Sequence, residues 1–202
     1  MKLVDRDFLV LREVGRFRFM LGRHIKALCG FPSTSSCDKR LKDLIEAKYL
    51  SRKKYLYGVP GLYTLTHKGR IILSMNKRED KIRVDRITHD IYVLEAVIFF
   101  VKKYGLAMSE IKTEKELHIK DGFGTRKHQP DFVLTNDGQS QAVEVELNPK
   151  SKERLEKNIR DNYLNFDKQI WITNDNKIIS LITKFLNEYP NIEILRLEEV
   201  IL

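Results

Sequence analysis

Between Pro130 and Leu147 the residues alternate in a way that few folds accommodate. Pro130-Asp131-Phe132-Val133-Leu134 and Val143-Glu144-Val145-Glu146-Leu147 are both strand-like runs. Asn136-Asp137-Gly138-Gln139 between them has the composition of a hairpin turn. Side chains alternate along a strand, so Val143, Val145 and Leu147 face one side, and Glu144 and Glu146 face the other together. Two carboxylates on one face of a sandwiched strand are costly unless they meet water, cations or a metal. Asp131 begins the neighbouring strand, where the hairpin can bring it beside Glu144. Three converging carboxylates are hard oxygen ligands suited to Mg²⁺ or Mn²⁺. Such an ion activates water and stabilises charge on a phosphodiester. The bland alternatives are that Asp131 caps a turn after Pro130, and that Glu144 and Glu146 form the wet face of an edge strand.

The flanking pattern is α/β. Ile87, Ile91, Leu94, Ile98 and Val101 recur at helical spacing, with Thr88 as a cap and Gly105 as a stop. Glu95 inside this helix either joins the acidic site or sits exposed between core faces. Extended segments are expected near Ser109–Thr113, Phe132–Thr135, Gln141–Leu147, Gln169–Thr173 and Ile192–Leu195. Asn148-Pro149 is expected to cap and open a helix to about Phe166, with Leu155, Ile159 and Tyr163 on one side. Tyr163 reads as core, not as a nucleophile. Lys150, Arg154 and Lys157 would share one face of this helix, to bind phosphate or to pair with Glu153 and Glu156. Another helix is expected over Lys177–Tyr189, and Trp171 reads as core. His89 and His128 are lone histidines with no assigned role. The predicted order is α, β, β, β, α, β, α, β.

Charge separates this part from the rest. Residues 1–80 hold 18 Lys+Arg against 8 Asp+Glu, a net of +10; residues 81–202 hold 19 against 20, a net of −1. A basic segment of this size most often meets a polyanion. Within it, Asp5–Gly15, Gly22–Gly30 and Ser36–Lys48 have helical spacing, with Phe8, Leu9, Leu11 and Val14 marking the first. Two β-rich runs follow, Tyr49–Leu56 and Leu62–Thr66, around Gly58-Val59-Pro60-Gly61. Three helices and a hairpin are the winged-helix order, whose third helix normally lies in the major groove of double-stranded DNA. Lys39, Arg40 and Lys42 on the third helix and Arg52, Lys53 and Lys54 on the hairpin are the expected contacts. They would neutralise phosphates, and Arg40 could also fork onto a guanine edge. The alternative is a solvated basic face. The expected domains are therefore 1–76, a charged linker over 77–86, and 87–202.

Cys29 and Cys37 are too few and too far apart for a disulfide framework or a CxxC pair. Without a signal peptide they are expected as reduced, buried thiols in a cytoplasmic protein, in preference to a zinc site with His24. The longest apolar run, Val93 to Val101, falls far short of the roughly 20 residues that span a bilayer, so no membrane partner is expected. The apolar C-terminal Leu195–Leu202 either packs back on its domain or forms a homodimer contact.

The acidic constellation resembles the PD-(D/E)xK superfamily, the restriction-endonuclease-like fold, over about 87–175. Glu146 stands where that motif has lysine, and Lys150 is the nearest replacement. Longer strings narrow the resemblance: Asp7–Leu11, Thr113–Leu117, Arg126–Asp131, Val143–Ser151 and Arg154–Glu156. Together they resemble the replication-relaxation protein family of bacterial plasmids and integrative elements, which is related to the C class of mobilisation relaxases. The resemblance implies an N-terminal winged helix-turn-helix followed by a restriction-endonuclease-like αβββαβ domain. It implies Glu116 or Glu114 as the first acidic residue, Asp131, Glu144 and Glu146 as a metal cluster, and a role on element DNA beside other relaxosome or replication proteins. Two functions follow as expectations. One is a Mg²⁺- or Mn²⁺-dependent nickase acting at an origin, with Lys150 orienting water or stabilising the phosphate. The other is a non-enzymatic DNA-binding regulator or relaxosome accessory with a degenerate nuclease domain.

Overall fold

A computed structural model describes residues 2–75, 81–121 and 128–201. Its contacts divide the chain into two compact units, Met1–Leu94 and Glu95–Leu202. The dividing point lies inside a long helix. The expected linker overlaps residues 76–80, which lie outside the described residues.

The first unit runs α1 (Asp5–Arg16), α2 (Gly22–Leu28), α3 (Thr34–Glu46), β1 (Leu50–Lys53), β2 (Leu62–Leu65) and α4 (His67–Ile72). The Asp7 carboxylate accepts the Val4 N–H at 2.8 Å and so caps the start of α1. Ser33 begins α3 two residues earlier than expected, because its hydroxyl accepts the Ser36 N–H. The hairpin is antiparallel, Leu50 facing Leu65 and Ser51 facing Thr64. Met20 adds a bridge to Tyr63 on the other side of β2. Val10, Leu11, Val14, Ile25, Leu41, Leu44, Leu50, Leu62 and Leu65 are buried. Phe8, one of the apolar residues that mark the first helix, is 38% exposed. Helix α4 was not anticipated. Its Gly69 passes so close to the Tyr49 carbonyl that a Cβ there would sit 2.2 Å from the oxygen.

Helix α5 (Ile87–Tyr104) bridges the two units along the sequence. The second unit continues with β3 (Ile111–Thr113), α6 (Glu114–Asp121), β4 (Phe132–Asn136), β5 (Gln139–Val145), α7 (Lys152–Asn165), β6 (Lys168–Ile172), α8 (Asn176–Thr183) and β7 (Ile192–Leu195). The five strands form one mixed sheet in the order β3-β4-β5-β6-β7. Pairing is antiparallel from β3 to β5 and parallel from β5 to β7. Asp137 and Gly138 both have positive φ, which a two-residue hairpin turn requires.

Both faces of this sheet are covered. Trp171 on β6 packs with Leu155 and Ile159 of α7 and Ile178 and Ile182 of α8. Phe132 on the opposite face of β4 packs on Phe100 of α5, ring centroids 6.2 Å apart. The molecule is thus mixed α and β, and no described helix is long and apolar enough to cross a membrane.

Four expectations are corrected. Helix α7 begins at Lys152, because the Ser151 hydroxyl accepts the Arg154 N–H; Asn148-Pro149 lies ahead of it. Lys150 therefore is not on the helix and does not share a face with Arg154 and Lys157. Tyr163 is 40% exposed and meets Tyr189 edge-on, outside the core that Leu155 and Ile159 enter. Glu95 is buried, because α5 is apolar on nearly every side. Helix α6, which the sequence reading did not assign, starts where Thr113 and Glu116 cap it reciprocally.

Candidate functional site

Strand β5 is the centre of the five, so Glu144 and Glu146 cannot be the wet face of an edge. Both are buried. The antiparallel register pairs Phe132 with Val143, so continuing it by one step sets Asp131 opposite Glu144. Glu144 pairs with Trp171 across β5 and β6, and Trp171 lies under α7 and α8. Glu144 therefore points toward the α7 side of the sheet. Its Oε1 accepts Asn162 Nδ2 at 3.0 Å and lies 2.5 Å from His128 Nε2.

The two other acids are also engaged. Asp131 Oδ2 accepts the Val145 N–H at 2.8 Å, tying the start of β4 to the end of β5. Glu146 follows β5 and donates its N–H to the Ile172 carbonyl, extending the parallel ladder. Its carboxylate forms an ion pair with Lys150. Burial pushes the Glu146 carboxyl above its ordinary value. The Lys150 ammonium opposes the rise, and the Glu144 and Asp131 charges add to it. The three acids thus gather at one end of β4 and β5 and feel one another. Among the described residues, however, no three His, Cys, Asp or Glu side chains converge tightly enough to hold a metal ion.

Glu116 serves the start of α6. Its Oε2 accepts the Thr113 N–H and hydroxyl, at 2.8 and 2.9 Å, as the cap of α6. Glu114 is nearer by backbone: its N–H donates to the Asp131 carbonyl at 3.0 Å. His128 and Asn162 were missed in the sequence. Asn158 and Asn162 are buried one turn apart beside Leu155 and Ile159. Two amides on an apolar stripe were the available sign that α7 faces something polar.

The six basic residues expected to contact DNA divide into two groups. Lys39, Lys42, Arg52, Lys53 and Lys54 are exposed. Lys42 lies 3.9 Å from Glu46, Arg52 stacks on Tyr63, and Lys54 lies over Tyr57. Arg40 differs. Its Nε donates to Asp7 Oδ1 at 2.7 Å, and its Nη2 donates to Asp7 Oδ2 and to the Lys2 carbonyl. Asp7 is fully buried. Burial opposes its ionisation, but Arg40 and the Val4 N–H hold its carboxyl below the usual value. The fork expected for a guanine edge is closed on α1.

Cys29 and Cys37 are buried free thiols, as expected. Burial pushes them up to about 12 and about 11 respectively. No family model, curated protein or solved structure matches the chain.

Proposed function

We propose that this protein binds duplex DNA through its first unit, as a winged-helix reader, and serves the replication or mobilisation origin of a plasmid or similar element. The observation that carries the proposal is the net +10 over residues 1–80, borne in part by exposed Lys39 and Lys42 on α3 and Lys53 and Lys54 at the hairpin. Each phosphate neutralised by such a lysine releases counterions, which makes the affinity salt-dependent. The helix order and the hairpin support the same reading. In the second unit the carboxylates of Glu144, Asp131 and Glu146 are matched by His128, Asn162, the Val145 N–H and Lys150. That matching favours a structural polar network and hence the non-enzymatic, accessory role.

The test is fluorescence polarisation with a labelled 20-base-pair duplex. A Lys53→Ala/Lys54→Ala double variant is expected to lower the slope of log affinity against log salt by about 2, at ~0.9 per phosphate contact. Duplex binding that is absent in the wild type, or insensitive to the double variant and to salt, would overturn the proposal.

A second reading, an Mg²⁺- or Mn²⁺-dependent nickase, is favoured by one observation: Lys150 returns to Glu146 at the strand end where Asp131 stands opposite Glu144. Supercoiled plasmid carrying the element origin, incubated with Mn²⁺, separates the two. Nicking lost in Asp131→Ala supports the second reading, and an uncut plasmid rejects it.

A further inference from the structure

The hairpin of the first unit carries an aromatic ring that the fold does not use. Its ladder closes with Lys53 opposite Leu62, so residues 54–61 run beyond the last paired residues. Their sequence is Lys-Tyr-Leu-Tyr-Gly-Val-Pro-Gly. Gly58 turns the chain at φ 75°, and a Cβ there would meet open space among the described residues. Arg52 braces the base of this tip. Its side chain lies so close along Gly61 that a Cβ there would sit 2.9 Å from Nε, and its guanidinium lies over the Tyr63 ring. Tyr55, Leu56 and Val59 are half-buried, whereas Tyr57 is 100% exposed. Aromatic rings stabilise a fold through the area they bury, so a wholly exposed ring contributes none of that stabilisation.

The charge around the ring narrows what it can meet. Lys54 Nζ lies 5.6 Å from the Tyr57 ring centroid, and Lys53 is exposed one residue earlier. The sequence holds no Asp or Glu between Glu46 and Glu79. An exposed ring beside ammonium groups, in an acid-free stretch, suits a partner that joins a flat π surface to negative charge. A nucleotide has both: its base stacks on the aromatic ring, and its phosphate meets the lysines. The base has to be unpaired. In an intact duplex the faces of each pair are covered by its neighbours, and only the edges reach the grooves.

We propose that Tyr57 stacks on an unpaired base, so that the hairpin tip recognises duplex DNA where it opens into single strands. Lys53 and Lys54 hold the phosphates that flank this base. The proposal deepens the DNA-binding reading and rests on it. Stacking discriminates weakly among bases, so the tip recognises strand opening and not sequence.

The experiment uses the full chain and two labelled DNAs in fluorescence polarisation: the 20-base-pair duplex, and the same duplex with a short central bubble of mismatched bases. One bubble base is 2-aminopurine, whose fluorescence falls when it stacks. The wild type is expected to bind the bubble about 5–150-fold more tightly than the paired duplex and to quench the reporter. Tyr57→Ala is expected to lose the preference and the quenching. It should keep the paired-duplex affinity and its salt slope, because it removes no charge. An exposed substitution of this kind barely changes stability, and far-UV circular dichroism checks the fold. Tyr57→Phe should retain both, since its ring still stacks. A wild type that binds both DNAs equally, or a Tyr57→Ala protein that keeps the preference, would overturn the tip assignment and leave the DNA-binding reading standing. Equal losses in Tyr57→Ala and Tyr57→Phe on both DNAs would overturn stacking in favour of a hydroxyl contact to the backbone. If the wild type binds neither DNA, both readings fail.

Discussion

Replacing Arg40 by alanine tests whether this residue serves stability or recognition. Asp7 is fully buried, and the Arg40 guanidinium meets both of its carboxylate oxygens. Removing one partner of a buried ion pair costs about 3–5 kcal/mol, because the other charge is left without compensation. The Arg40 side chain is 25% exposed, so water screens part of the pair and reduces the figure to about 2–3 kcal/mol. For a unit of this size, that lowers the melting temperature by roughly 10–20 °C. The pH dependence has a definite sign. The folded Asp7 carboxyl lies below its unfolded value, so its stabilisation is fully present above the unfolded value and is lost as pH falls through the folded one. The wild type and Arg40→Ala should therefore differ most at pH 7, begin to converge below about pH 4 and meet as pH falls through the folded value. Calorimetric melts at pH 7 and pH 3 read both quantities. Asp7→Asn/Arg40→Ala should recover part of the loss, since no buried charge remains. An Arg40→Ala protein that melts like the wild type yet loses duplex affinity would refute this reasoning and restore Arg40 as a base reader.

Three further outcomes are expected. Gly69→Ala forces a Cβ against the Tyr49 carbonyl, a backbone atom with little room to yield, and should destabilise by about 1–3 kcal/mol or more in urea titration. Asn162→Ala removes a donor from the buried Glu144 and should cost about 1–3 kcal/mol; a neutral result would mean that His128 alone satisfies that carboxylate. Cys29 and Cys37, held near 12 and 11, should resist alkylation at pH 8 in the native protein and react in 6 M guanidinium; rapid native labelling would show that the thiols are reachable.

Much of the candidate site was legible in the sequence. The β4–β5 hairpin could be placed because Asp137-Gly138 demands positive φ and the flanking residues alternate with period two. That register alone sets Asp131 opposite Glu144. The partners of the acids were not legible. His128 and Asn162 reach Glu144 from 16 and 18 residues away, across a turn and from a separate helix, and no local pattern encodes such a meeting. Tyr163 was misplaced for a related reason. Helical spacing says which residues share a stripe, but not how far along the helix the neighbouring sheet extends.

Apart from α4 and α6, local physics determined the element types, the hairpin turns, the concentration of positive charge in residues 1–80 and the burial of both cysteines, because these follow from backbone preferences and composition. Tertiary structure decided that β5 lies at the centre of the sheet, that Arg40 closes on Asp7, and that Lys150 lies ahead of α7 beside Glu146. Each of these depends on which surfaces meet once the helices and sheet pack, and a charged side chain takes the partner that packing brings within reach.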